Sequence, residues 1–97
     1  MNDARQTREG IRIHEPADFA GMHAAGRIAA QILDEVGALV QPGTTTGAID
    51  DFIRNRVTEL GTVSATIGYR GYQHASCISV NHVVCHGIPG DKKLEEG

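Results

Sequence analysis

The sequence predicts an α+β fold in which two helices are followed by short antiparallel strands. Apolar residues recur at three- and four-residue spacing from Pro16 to about Val40 and from Gly47 to Leu60, which is the period of amphipathic helices. After Gly61 this period changes and β-branched segments follow. The order of helix, helix and then strands is typical of an α+β arrangement.

The first helix is predicted to begin at Pro16, since proline suits the first helical position, and Asp18 favours the positive end of the helix dipole. The segment "QPG" at positions 41–43 ends the helix. Its apolar stripe consists of Phe19, Met22, Ala25, Ala29, Ile32, Val36 and Leu39.

The second helix is predicted to follow the threonines at positions 44–46, with Thr46 as its cap. Asp50 and Asp51 are expected in its first turns, where the dipole favours acidic side chains. Gly61 fits the left-handed position after the helix. The predicted buried face consists of Ile49, Phe52, Ile53, Val57 and Leu60.

The segments "TVSATI", "CISVN" and "VVCH" are predicted to be strands. A hairpin with Asn81-His82 as its two-residue turn pairs the last two, so that Cys77 faces His86. Because side chains alternate between the faces of a sheet, one face becomes core and the other is less apolar. The core face carries Ile78, Val80, Val83 and Cys85, and the other carries Cys77, Ser79, Val84 and His86.

Length and charge limit the classes of function. A chain of 97 residues is at most one small domain, and its net charge of -3 gives no footprint for direct nucleic-acid or anionic-membrane binding. No apolar run is long enough to span a membrane, and the polar start does not resemble a secretory signal. Without an export signal, the two cysteines indicate reduced thiols and a cytoplasmic location. Residues 1–10 are predicted to be disordered or loosely docked.

The segment from His74 to His86 concentrates the chemistry, because it holds both cysteines and three of the five histidines. A structural zinc site is one interpretation, although the hairpin sends Cys77 and Cys85 to opposite faces. A Cys77–His86 nucleophile pair is another, since a thiolate needs a nearby base, but no third group orients the pair. A buried thiol beside an ordinary histidine is the third. The residues alone leave all three open.

Several motifs together resemble type I methionine aminopeptidases: "AGRIAAQIL", "QPGTTTGAIDDFI", "GYRGYQHASCISVN" and "VVCHGIPG". The resemblance runs from about Ile11 to Gly97. It implies the N-terminal half of the pita-bread (creatinase/aminopeptidase-like) fold, in an enzyme that removes the initiator methionine from nascent polypeptides in the cytoplasm, including at the ribosome. It further implies a monomeric complete enzyme with two divalent cations (Co, Mn, Fe, Zn or similar) that activate a water.

The resemblance also assigns site residues. His86 matches the family's histidine beside the scissile peptide bond, with a catalytic and substrate-binding role. Tyr69, Tyr72, Cys77 and Thr66 match positions that line the pocket for the methionine side chain. Three positions depart from the family pattern: Thr66 stands where bacterial members usually have cysteine, Gln73 replaces a proline, and His82 replaces an acidic residue.

The resemblance places the family's metal ligands beyond Gly97, and Asp91, Glu95 and Glu96 do not match them. The 97-residue chain alone is therefore expected to bind no metal and to show no peptidase activity. The alternatives are a non-catalytic binding module and a truncated relic without activity.

Overall fold

The computed structural model describes residues 5–97. Two α-helices form its regular part, α1 at Pro16–Val36 and α2 at Thr46–Glu59. Single 3₁₀ turns follow at Gly37–Leu39 and Tyr69–Gly71. The radius of gyration is 16.6 Å, which exceeds the about 13 Å expected of a compact domain of this length. The chain therefore leaves much of its apolar surface without a covering layer.

Helix α1 begins at Pro16, as predicted, and ends earlier than predicted. The backbone N–H of Glu15 donates to Oδ2 of Asp18 at 2.8 Å, which satisfies a backbone donor before the first turn. The α-helical bonding stops at Val36, and the chain tightens into the 3₁₀ turn instead of continuing to Val40. Such a turn is common at a helix end, where the last carbonyls lack α-helical partners.

Helix α2 is capped by Thr45, one residue before the predicted Thr46. Oγ1 of Thr45 accepts the N–H of Ala48 at 3.0 Å, which is the usual bond of an N-cap. Thr46 is instead buried, and its hydroxyl accepts the Gly90 N–H at 2.9 Å. The first turn of α2 holds no acidic residue, and Asp50 and Asp51 lie in its second turn, so their interaction with the helix dipole stays a prediction.

The two helices pack through the C-terminal half of α1. Ile32, Val36 and Ile49 are the buried apolar residues, and a ring of half-buried side chains packs against them. This ring includes all the remaining members of the predicted face of α2, which are Phe52, Ile53, Val57 and Leu60. Residues from α1 and from the loops complete it: Ile28, Leu39, Ile78 and Leu94. Phe19 and Met22 of the predicted α1 stripe remain exposed, because the packed cluster lies around the other end of the helix.

An ion pair joins the same two helix faces. Arg56 donates from Nε to Oε1 of Glu35 at 2.7 Å and from its terminal nitrogen to Oε2 at 2.9 Å. The paired guanidinium lowers the pKa of Glu35, and the carboxylate raises the pKa of Arg56. This two-point contact fixes the relative orientation of α1 and α2.

The predicted antiparallel strands are not found in residues 5–97. Extended segments meet there only at two isolated bridges, between Gln6 and Arg12 and between Thr45 and Lys93. A strand needs a continuous ladder with a neighbour, and "TVSATI" has none in the described chain. Cys85 adds a second obstacle to pairing, because its φ of 53° interrupts the extended backbone of "VVCH".

The predicted turn at Asn81-His82 does form. The N–H of Val83 donates to the carbonyl of Val80 at 3.1 Å, and Asn81 takes a positive φ of 55°. Asparagine tolerates this conformation better than most residues.

The register beyond this turn differs from the prediction. The chain bends again at Cys85, where the His86 N–H donates to the Val84 carbonyl at 2.6 Å. As a result the N–H of Ile78 donates to the carbonyl of Gly87 at 2.8 Å, whereas the hairpin pattern places Cys85 opposite Ile78. Cys85 is exposed, so its predicted core position is wrong.

The N-terminal segment folds back on itself. The N–H of Ile13 donates to the carbonyl of Arg5 at 2.7 Å, and an Arg5–Glu15 ion pair of 2.7 Å joins the segment to the start of α1. Of the residues predicted to be disordered, 1–4 lie outside the described part, and the disorder of 1–10 stays a prediction. Neither α1 nor α2 combines the length and apolar character needed to cross a membrane.

Candidate functional site

The five residues that the resemblance selects line a single cavity of about 400 Å³. Small-molecule sites in proteins usually enclose about 300–1,000 Å³, so the space suits a side chain and its backbone rather than a large ligand. The lining residues, hereafter the pocket, are Thr66, Tyr69, Arg70, Tyr72, Cys77, His86 and Ile88.

Tyr72 and Cys77 form one wall of the pocket through a short hydrogen-bonded chain. The Cys77 thiol donates to the Tyr72 hydroxyl at 3.6 Å, and this hydroxyl donates to the carbonyl of Ser76 at 2.7 Å. Burial, followed by the interactions with Cys77, raises the pKa of Tyr72 to about 12. The phenol is therefore neutral at physiological pH, and its hydroxyl is already engaged within the protein.

Tyr69 lies on the turn Tyr69–Gly71 and is largely exposed. Arg70 takes a φ of 50°, and its guanidinium carbon lies 5.1 Å from the centroid of the Tyr69 ring. This stacking fixes the arginine beside the ring. Arg70 is not among the residues that the resemblance selects, although its position between the two pocket tyrosines in "GYRGY" is a signal for it.

Thr66 serves the loop as well as the pocket. Its hydroxyl donates to the carbonyl of His74 at 2.8 Å and lies 3.0 Å from the hydroxyl of Ser64. The hydroxyl thus connects the two ends of the loop that carries both tyrosines.

His86 reaches the pocket from the bend after Cys85, and its side chain is exposed. The next residue approaches the facing chain closely, since a Cβ on Gly87 would lie 2.2 Å from the carbonyl oxygen of Ile78. The Gly87 N–H also donates to the Ser79 hydroxyl at 3.0 Å. The backbone that follows His86 is therefore tightly fixed.

Cys77 and His86 line the same pocket, although the bond from Ile78 to Gly87 departs from the predicted register in which Cys77 faces His86. The hydrogen bond of the Cys77 thiol runs to Tyr72, however, so this geometry gives no support to a Cys77–His86 nucleophile pair.

Asp50 of α2 organises the loop at residues 73–77, a role that the sequence patterns do not predict. It is 1% exposed, and its Oδ1 accepts the Ala75 N–H at 3.0 Å and the Ser76 hydroxyl at 2.6 Å. Its Oδ2 lies 3.2 Å from Nδ1 of His74. The sequence does contain a signal for its burial. The three- and four-residue spacing of Thr46, Asp50, Ile53 and Val57 puts the Asp50 carboxylate on the apolar face of the helix.

The described residues do not fit a metal centre. Within residues 5–97, no three or more His, Cys, Asp or Glu side chains come together in a way that could hold a metal ion. Cys77 and Cys85 are exposed free thiols.

A family model and individual proteins that match this chain agree on one family. The model for metallopeptidase family M24 matches residues 20–97. Methionine aminopeptidase from Rickettsia prowazekii is 44% identical over 87 residues, which are 90% of this chain and 34% of the relative. The Escherichia coli K12 methionine aminopeptidase is 48% identical over 88 residues, covering 87% of this chain and 32% of the relative.

A plant relative extends the range. Methionine aminopeptidase 1D, chloroplastic/mitochondrial, from Arabidopsis thaliana is 40% identical over 88 residues, or 91% of this chain and 25% of the relative. The chain thus spans between 25% and 34% of the length of these curated relatives.

Proposed function

Since the chain belongs to metallopeptidase family M24, we propose that it supplies the methionine-binding wall of an enzyme that removes the initiator methionine from nascent polypeptides. The observation that carries this proposal is the shared cavity. Five residues selected by resemblance, from three separate stretches of the chain, line one space of about 400 Å³. The substrate is then the free N-terminus of a new polypeptide in the cytoplasm.

The composition of the wall suits a thioether side chain. Aromatic rings and sulfur are polarizable, and sulfur–aromatic contacts contribute about 0.3–1.5 kcal/mol each. The hydroxyl of Tyr72 donates a hydrogen bond to the Ser76 carbonyl and accepts one from the Cys77 thiol, so the protein itself satisfies this polar group. A methionine side chain can therefore contact the ring without leaving an unsatisfied polar group.

His86 is the residue to which we assign a catalytic role. Its exposed imidazole lies at the pocket edge, where it can donate a hydrogen bond to the scissile amide or to the developing oxyanion. The hydrogen bonds of Gly87 to the facing segment hold the backbone after His86 in place.

The remaining parts of the proposal concern the complete enzyme. We assign this chain to the N-terminal half of a pita-bread fold, whose antiparallel strands would complete their ladders against the other half. The family is a metallopeptidase family, and residues 5–97 offer no ligand set for its divalent cations. We therefore expect residues 1–97 alone to bind and orient substrate without hydrolysing it. A non-catalytic methionine-binding module is the second candidate, and the same cavity without a metal ligand set favours it.

The first test is the intact mass and metal content of the gene product from its native source. The enzyme proposal expects a mass above 10.4 kDa, bound divalent metal and hydrolysis of a methionine-initiated peptide. A native mass of 10.4 kDa without metal and without hydrolysis would refute it. Measurable binding of L-methionine by that species would then identify a binding module.

The second test is His86→Ala in the complete gene product. Loss of an oxyanion donor should lower kcat by about 10²–10³-fold while metal content stays unchanged. His82→Ala is the matched control, because His82 lies exposed at the nearby turn. Near-normal kcat in His86→Ala would contradict the assigned role.

A further inference from the structure

We propose that Asp50 is a positioning residue that sets the selectivity of the pocket for methionine, by holding the 73–77 loop against α2. This inference rests on the proposed function and deepens it. Asp50 itself does not line the pocket, so its effect must pass through the loop.

The carboxylate of Asp50 is buried beneath the loop that it contacts. Asp50 is the largest fully buried side chain of the described residues, at 1% exposed. A buried carboxylate is strongly unfavourable unless donors satisfy it. Here the N–H of Ala75 and the hydroxyl of Ser76 donate to Oδ1, and His74 faces Oδ2. Asp50 therefore constrains three consecutive residues at once.

Residues 74–76 are in turn connected to the pocket wall. The carbonyl of Ser76 accepts the hydroxyl of Tyr72, and Cys77 directly follows Ser76 and donates to the same hydroxyl. His74 also contacts Tyr72 edge to face, with ring centroids 5.5 Å apart. Any movement of residues 74–76 must therefore move Tyr72 and Cys77.

A second residue of α2 also binds the 73–77 loop. Arg54, one turn after Asp50, donates to the carbonyl of Gln73. α2 thus holds the loop at Gln73 and at residues 74–76. Ile49 of α2 packs in turn against Ile32 and Val36 of α1. The pocket wall is placed by a helix that takes no part in lining it.

The experiment measures peptide hydrolysis by the complete gene product with Asp50→Ala, Asp50→Asn and Asp51→Ala. Because the pocket binds the methionine side chain in the ground state and the transition state alike, Asp50→Ala should raise KM about tenfold and leave kcat within about twofold. The ratio of kcat/KM for methionine over leucine peptides should fall by a similar factor. A simple loss of folded protein would lower the rate and leave both KM and this ratio unchanged.

Asp50→Asn should restore KM to within about threefold of the wild-type value. The asparagine amide oxygen can accept from Ala75 and Ser76, and its NH₂ group can donate to the Nδ1 atom of His74. Asp51→Ala should leave KM unchanged, because Asp51 is the exposed neighbour on the same helix.

A second readout does not depend on hydrolysis. The alkylation rate of Cys77, measured by peptide mass spectrometry with Cys85 as internal reference, should rise severalfold in Asp50→Ala and stay near wild type in Asp50→Asn. An unchanged KM in an active Asp50→Ala variant overturns the proposal, whatever its kcat. If the wild-type protein hydrolyses no methionine peptide, the proposed function has failed. The alkylation rate of Cys77 then tests the positioning role of Asp50 by itself. A rise in its alkylation then supports that role, and an unchanged rate overturns it.

Discussion

Gly87→Ala tests whether the close approach at the pocket edge holds His86 in place. The added Cβ would lie 2.2 Å from the carbonyl oxygen of Ile78 and 2.8 Å from Cα of Ser79, so the contacts are with backbone that no side-chain rotation can relieve. Gly87 is not among the glycines with positive φ, so the backbone dihedrals themselves permit alanine. The cost is therefore steric.

The magnitude follows from two contributions. Forced overpacking typically costs about 1–3 kcal/mol, and losing the Ile78–Gly87 backbone bond costs about 0.5–1.5 kcal/mol. Together they lower the free energy of unfolding by about 2–4 kcal/mol. With a urea m-value of about 1–3 kcal/mol per molar, the unfolding midpoint should fall by about 1 M or more.

The assay is urea unfolding of the complete gene product, followed by circular dichroism, together with peptide hydrolysis in buffer. Gly21→Ala is the control, since its added Cβ would have no heavy atom of residues 5–97 within 4 Å apart from its chain neighbours and the backbone of its own helix. It should stabilise α1 by about 0.5–1 kcal/mol. Hydrolysis by Gly87→Ala should fall through kcat, because His86 precedes the displaced residue. A midpoint within about 0.3 M of wild type, with full activity, would refute the steric argument.

Two further predictions concern pH. Arg56 holds the pKa of Glu35 below its usual value, so the stabilisation by Glu35 is present above the unfolded-state pKa and is lost as the pH falls. Glu35→Gln should therefore lower the urea midpoint at neutral pH, with a smaller effect below about pH 4. Glu59→Gln is the control: it removes a longer and more exposed contact with Arg56 and should change the urea midpoint little. The pKa of Tyr72 is raised to about 12 in the folded protein, whereas a tyrosine in the unfolded chain has a pKa of about 10. The stabilisation by the neutral phenol is therefore fully present below about pH 10 and is lost as the pH rises through about 12. Tyr72→Phe should show a smaller loss of midpoint than wild type between about pH 9 and pH 12, and equal losses in both proteins would contradict the assignment.

The helices and their contact faces could be predicted from the sequence because the information is local. Pro16 begins α1, the face of α2 from Ile49 to Leu60 packs on the core, and the turn at Asn81-His82 forms as expected. Each depends on residues within a few positions of one another. The cap of α2 shifted by one residue, because Thr46 bonds to Gly90 instead.

Motifs select five pocket residues, and the structure brings these five to one cavity. The predicted hairpin register was wrong beyond Val84, since the bend at Cys85 offsets the pairing and leaves that thiol exposed. Side-chain alternation gives no sign of such a bend, so counting outward from the turn could not find it.

The sequence by itself determined two amphipathic helices and one turn, and its motifs selected five residues that line one pocket. The tertiary structure alone decided that Asp50 anchors the 73–77 loop, and that the backbone after His86 is fixed by the contact of Gly87 with Ile78. Periodicity and capping act over one or two helical turns. A carboxylate bonded to a residue 25 positions away depends instead on how the chain folds back, which no local pattern specifies.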